Sequence, residues 1–220
     1  MERAKKRIVA GLAALALAGG AVAALGPSAS AGTPSCGVFC VALYAEEFGT
    51  ADVTTVVTAA AGKPEYIILS APSNTLPTED FTSVPLSVNT VAGQCSADVI
   101  TSSAVCDTWP NDQVVEYQWS PNGVNSGTCI GTPSAAANGV KVSLQPCGTA
   151  ETMWVQLSID TIGGYQPLIA ATDTVVNTPD VLTAGSSAGD KLTTHELNLV
   201  AGTFNPAQMW ATLNGTFPPS

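Results

Sequence analysis

Beyond about residue 38 the apolar positions fall in short runs, and Gly, Pro, Asn or Ser clusters separate most of them. The runs are Val38–Leu43, Val53–Thr58, Tyr66–Leu69, Val84–Val88, Val114–Trp119, Val140–Leu144, Met153–Leu157, Pro167–Ala171, Asp180–Thr183, Lys191–Leu199 and Met209–Leu213. They are rich in Val, Thr and other β-branched residues, and almost none shows a helical period. Many short strands with regular punctuation predict an all-β sandwich or barrel. Pro64, Pro72, Pro85, Pro121, Pro133 and Pro179 lack the N–H that a central strand needs, so they belong at strand ends and turns.

The first 31 residues follow a different pattern. Arg3, Lys5, Lys6 and Arg7 precede a charge-free run from Ile8 to Leu25, and Ala29-Ser30-Ala31 supplies a small-x-small cleavage pattern. These features predict a cleaved signal peptide over 1–31, a secreted product and no membrane span in the mature form. The mature chain, 32–220, is long enough for one domain with a sizeable core.

Removing the signal changes the charge. Three lysines (Lys63, Lys141, Lys191) and no arginine then face 16 acidic residues, a net charge of −13. Nucleic acid and anionic membranes both need Lys/Arg neutralisation, so neither is expected as a partner. Six cysteines remain, an even number that reads as disulfides in an exported chain.

The runs recur. NSGTCIGTPSAAANGVKVSLQPCGTAETMWV has a strand around Cys129, a Gly turn, a strand around Val142, and Trp154. YQPLIAATD, DVLTA, GDKLTT and AQMWATL repeat the order and end on Trp210, and an earlier copy ends on Phe81. Residues 85–113, with Cys95 and Cys106, then form an insertion.

Gln208-Met209-Trp210 matches the Q-x-W signature of ricin-type β-trefoil lectins. Glu151–Trp154 and Glu79–Phe81 are diverged copies, and Ser126–Ile130 with Gly139–Cys147 resembles that family's repeat core. The chain is also similar in overall look to secreted proteins of actinobacteria. The ricin-type resemblance implies a β-trefoil of three diverged, disulfide-stapled repeats, with Phe81, Trp154, Trp210 and Gln208 as core. It implies a Cys129–Cys147 staple within the middle repeat, a loop of about 18 residues whose closure is worth about 3 kcal/mol. Cys95–Cys106 would clip the insertion. Cys36 and Cys40 are left as a local pair by elimination; on an extended strand they would stand about 13 Å apart, so either the strand starts after Cys40 or each pairs elsewhere.

The resemblance also implies a sugar pocket with an aspartate after the first-strand cysteine motif, an aromatic platform, and an asparagine before Q-x-W. The aspartate positions fall near Ala42, Gly131 and Ala170, none acidic, and Ala207 precedes Gln208. Binding is therefore expected at loops, with Asp173, Tyr165 and Trp109 as carboxylate and aromatic candidates. Catalysis finds little footing. His195, the one histidine, reads as an exposed strand residue in LTTHELNL, and no G-x-S-x-G elbow presents a serine. Glu46-Glu47 and Glu79-Asp80 are adjacent pairs, which point to opposite strand faces rather than across a cleft. The expectation is a monomeric, non-catalytic, secreted module without cofactor or metal. It binds a carbohydrate or glycoconjugate, with an extracellular protein partner as the alternative and a secreted hydrolase as a third reading.

Overall fold

A computed structural model describes residues 40–57, 65–71, 77–158, 164–200 and 203–214. The first half of the chain forms β1 (Val41–Ala45), β2 (Val53–Val57), β3 (Tyr66–Ser70), β4 (Phe81–Ser83), α1 (Val91–Ser96), α2 (Ser103–Thr108), β5 (Gln113–Val115) and β6 (Tyr117–Trp119). The second half forms β7 (Thr128–Gly131), β8 (Ser143–Pro146), β9 (Trp154–Gln156), β10 (Leu168–Ala170), β11 (Asp180–Thr183), β12 (Thr193–Glu196), β13 (Leu199–Val200), β14 (Thr203–Phe204) and β15 (Trp210–Asn214).

Six antiparallel steps close a barrel. β1 pairs with β15 and β4, β4 with β6, β5 with β9, and β9 with β10. The circle closes where Gln166 and Trp210 exchange backbone hydrogen bonds of 2.8 and 2.9 Å. Three hairpins, β2–β3, β7–β8 and β11–β12, meet one another around a pseudo-threefold axis. There Leu192 N–H donates to the Ile67 carbonyl and Val142 N–H to the Leu192 carbonyl, and all three side chains are fully buried. This is a β-trefoil: a single repeat cannot cover its own apolar face, so three share one core.

Each repeat ends on the same device, a single 3-10 turn followed two residues later by a buried aromatic. The turns are Pro77–Glu79, Ala150–Thr152 and Pro206–Gln208, and the aromatics are Phe81, Trp154 and Trp210. Trp154 Nε1 donates to the Ile130 carbonyl at 3.0 Å and Trp210 Nε1 to the Leu182 carbonyl at 2.8 Å. The motif copy in the middle repeat is thus Thr152-Met153-Trp154, with Thr152 in the place of Gln208. Gln208 spans the Glu196 carbonyl and the Asn198 N–H, both at 2.8 Å. Thr152 is too short for that, and the buried Glu116 carboxylate completes the network by accepting from Thr152 Oγ1 and, at 2.8 Å, from Gly148 N–H.

Two features depart from the sequence reading. Val84–Val88 forms no strand, since Pro85 has no N–H to give a ladder. Residues 84–112 instead carry two helices, α1 and α2, each too short to display a 3.6-residue period. Thr90 and Ser102 cap them, and Cys95–Cys106 bonds one to the other. Their Val91 and Val105 pack, with Ile100, on Val114, Val155, Ile169 and Val181 of the barrel and hairpins. Cys129 is bonded to Cys147. Cys40 is also disulfide-bonded; Cys36 and the segment 1–31 lie outside the described residues.

Replacing Cys129 and Cys147 together by alanine is expected to lower stability by about 3 kcal/mol, read from urea unfolding followed by circular dichroism. Trp154→Phe keeps an aromatic but strands the Ile130 carbonyl, and is expected to cost about 1–3 kcal/mol in the same assay.

Candidate functional site

The structure corrects which residues occupy the family's acidic position. The strand equivalent to β7 in the third repeat is β11, because Trp154 and Trp210 bond to Ile130 and Leu182 at matching points. Register agrees: Gly131 faces Ser143, Thr183 faces Thr193, and Thr55 faces Ile68. The three positions are therefore Thr55, Gly131 and Thr183, whereas Ala42 and Ala170 are buried in the barrel strands β1 and β10. The middle position has no room for a side chain, since a Cβ on Gly131 would stand 2.5 Å from the Glu151 carbonyl oxygen.

The third repeat is open at the same place. A recess of about 560 Å³ lies between β11, β12 and the long connection to the last 3-10 turn, lined by Thr183, His195, Glu196, Asn198, Asn205 and Gln208, with Asn138 and Thr178 also on its wall. Asn138 arrives from the β7–β8 hairpin, and its Oδ1 is hydrogen-bonded to His195 Nδ1. That crossing between repeats is firm, since Gly139 N–H donates to the Thr194 carbonyl at 2.6 Å and Thr194 Oγ1 to the Ala137 carbonyl at 2.7 Å. Asn205 caps the turn through Oδ1, which accepts Ala207 N–H at 3.1 Å. Gln208 is locked from both ends and belongs to the frame. His195, Glu196, Asn138 and Asn198 retain exposed surface.

The candidates read from the sequence are distributed differently. Asp173 has no exposed surface. Its Oδ1 accepts Val175 N–H at 3.2 Å and its carbonyl accepts from Ser102 Oγ, so it ties the β10–β11 loop to the start of α2. Trp109 is half-buried against the helix-covered cluster. Tyr165 packs elsewhere, edge-on to Tyr44 at 5.7 Å beside Ala42, Val53 and Ala211. None of the three lines the recess. Among the described residues no group of three His, Cys, Asp or Glu side chains is placed to hold a metal ion.

Two carboxyls, Asp173 and Asp180, are buried. Burial raises the Asp173 carboxyl above its ordinary value, and backbone N–H groups of Val175, Asp180 and Thr174 oppose the rise while the Asp180 charge adds to it. Burial likewise raises Asp180, with Glu196 adding to the rise and His195 opposing it.

No protein-family model matches the chain and no curated protein matches it, so the similarity to actinobacterial secreted proteins has no support. Solved structures match in fold. ThreeFoil, a designed threefold-symmetric protein, aligns at 13% identity with a TM-score of 0.52, covering 79% of this chain and 97% of its own. A mosquitocidal holotoxin aligns at 9% identity and a TM-score of 0.50, covering 79% of this chain and 17% of the toxin. Polyporus squamosus lectin, solved with a human-type influenza-binding epitope, aligns at 11% identity and a TM-score of 0.49, covering 80% of this chain and 49% of the lectin. At such identities the likeness shows the fold alone.

The raised carboxyls make stability pH-dependent. The folded protein keeps protons that the unfolded chain releases above the ordinary value of 3.8. Stability is therefore greatest below that value and falls as pH rises through the raised folded values. Urea midpoints measured across this window are expected to fall more steeply for the native protein than for Asp180→Asn.

Proposed function

We propose that the protein is a non-catalytic carbohydrate-binding module whose sugar site is the recess of the third repeat. One observation carries the reading: the recess brings the His195 ring, the Asn138 and Asn198 amides and the Glu196 carboxylate around one volume of ligand size. A primary amide offers donor and acceptor side by side, as neighbouring sugar hydroxyls require. A planar ring offers a face to the apolar side of a pyranose, and the exposed carboxylate accepts hydroxyl protons. The acid missing at position 183 is thus replaced by Glu196, from the next strand.

The Glu79–Asp80 pair lends no support to glycoside hydrolysis. Glu79 and Asp80 are both buried, and Asp80 Oδ2 accepts Asn122 N–H at 2.9 Å. The signal-like N-terminus and the disulfides support an extracellular setting. A protein ligand is the second reading, favoured by Val175 and Val176, which are 42% and 49% exposed on the loop that supplies Thr178 to the rim.

A glycan array on the oxidised protein, followed by calorimetry on each hit, tests the reading. His195→Ala and Asn198→Ala are each expected to weaken binding about tenfold, the equivalent of about 1.4 kcal/mol. Asn198→Ala leaves the backbone bond to Gln208 in place, so its effect reports on the ligand. An empty array, or hits indifferent to both substitutions, would overturn the proposal, and capture by a protein through Val175 and Val176 would replace it.

A further inference from the structure

We infer a second ligand site, on the pseudo-threefold axis where the hairpins meet, that takes a small singly charged organic anion: a carboxylate on an apolar body. Tyr66, Lys141 and Lys191 are threefold-equivalent. Each precedes one of the buried axial residues Ile67, Val142 and Leu192, and Lys191 bridges Ile68 as Lys141 bridges Thr193. All three line one cavity of about 480 Å³, walled also by Val142, Leu144 and Pro133.

Charge makes this placement informative. Beyond residue 31 the chain has three lysines, no arginine and 16 acidic residues, yet two of the three lysines share this cavity. Among the described residues neither forms an ion pair with an acid. Lys191 Nζ stands 4.1 Å over the Tyr66 ring, a cation–π contact that holds the ammonium at the cavity edge. Asp190, next in the chain, is turned into its own loop, where Oδ2 accepts Ser187 N–H at 3.0 Å and Ser186 Oγ at 3.3 Å.

The remaining walls define the ligand. Leu144 and Pro133 give an apolar surface, which suits a hydrocarbon body rather than an inorganic ion. Glu65 sits on the rim and disfavours a second negative charge. The net negative charge of the chain repels polyanions at long range, while a small anion inside feels chiefly the two ammonium groups within a Debye length of about 8 Å.

Benzoate, its neutral match benzamide, and a sulfated polysaccharide are the probes, read by ligand-observed NMR and by the Tyr66 ring resonances. Benzoate is expected to bind at least about tenfold tighter than benzamide and to weaken sharply in about 1 M salt, where the Debye length is about 3 Å. Lys141→Gln and Lys191→Gln should each weaken benzoate several-fold, and the pair should remove it. His195→Ala should leave it unchanged, which separates this site from the recess of the third repeat. Equal binding of benzamide, preference for the polysaccharide, or indifference to both lysine substitutions would overturn the inference. If Lys191→Gln disturbs the fold, Lys141→Gln decides alone, because the Lys141 ammonium makes no hydrogen bond or ion pair with a described residue.

Discussion

The indole N–H bonds of Trp154 and Trp210 are what the rest of the architecture depends on. Each joins the last strand of a repeat, in the barrel wall, to the backbone of the hairpin that covers the core. A buried carbonyl is thereby satisfied where it would otherwise cost stability, and the hairpin is seated at one height over the barrel. The first repeat has no such link, because the Phe81 ring carries no N–H; there its cross-strand partner Trp119 donates through Nε1 to the Pro77 carbonyl at 3.1 Å and pins the 3-10 turn instead.

Threefold repetition frees equivalent positions to diverge. The residue at the Q of the motif is Glu79, Thr152 or Gln208, all buried. Thr152 suits a short connection, Cys147–Thr149, that a disulfide and Glu116 hold down. Gln208 suits a connection of residues 197–205 that needs a long side chain to bind it to β12. The longer connection brings Asn198 and Asn205 to the wall of a recess, whereas the short one brings the Glu151 carbonyl against Gly131 and leaves no space. Connection length thus accounts for the room at Thr183 in one repeat and the crowding at Gly131 in the other.

Much of the fold was legible because it is local and repeated. Short β-branched runs mark an all-β chain, and the recurring aromatic, the cysteine pair and the Q-x-W resemblance together point to a trefoil. The helices of residues 84–112 left no period to read, being six residues each. The acidic position of the third repeat was misplaced at Ala170 because Val181 stands where the middle repeat has Cys129, and without the cysteine the sequence carries no register mark. The recess was invisible for a further reason. Alternation along β12 says that His195 faces outward, but not that Asn138, from another repeat and 57 residues away, will meet it.

The acidic composition has a structural use as well as a solvating one. Asp80, Glu116, Asp173 and Asp190 each accept a backbone N–H in a loop, from Asn122, Gly148, Val175 and Ser187 respectively. In a chain where loops outnumber ladders, a carboxylate that accepts such a donor replaces the strand partner the loop lacks. Asp80, Glu116 and Asp173 are almost fully buried, and each is given a backbone donor in place of the water it loses. Lys141 and Lys191 stand together at the cavity on the pseudo-threefold axis, with no ion pair to an acid among the described residues.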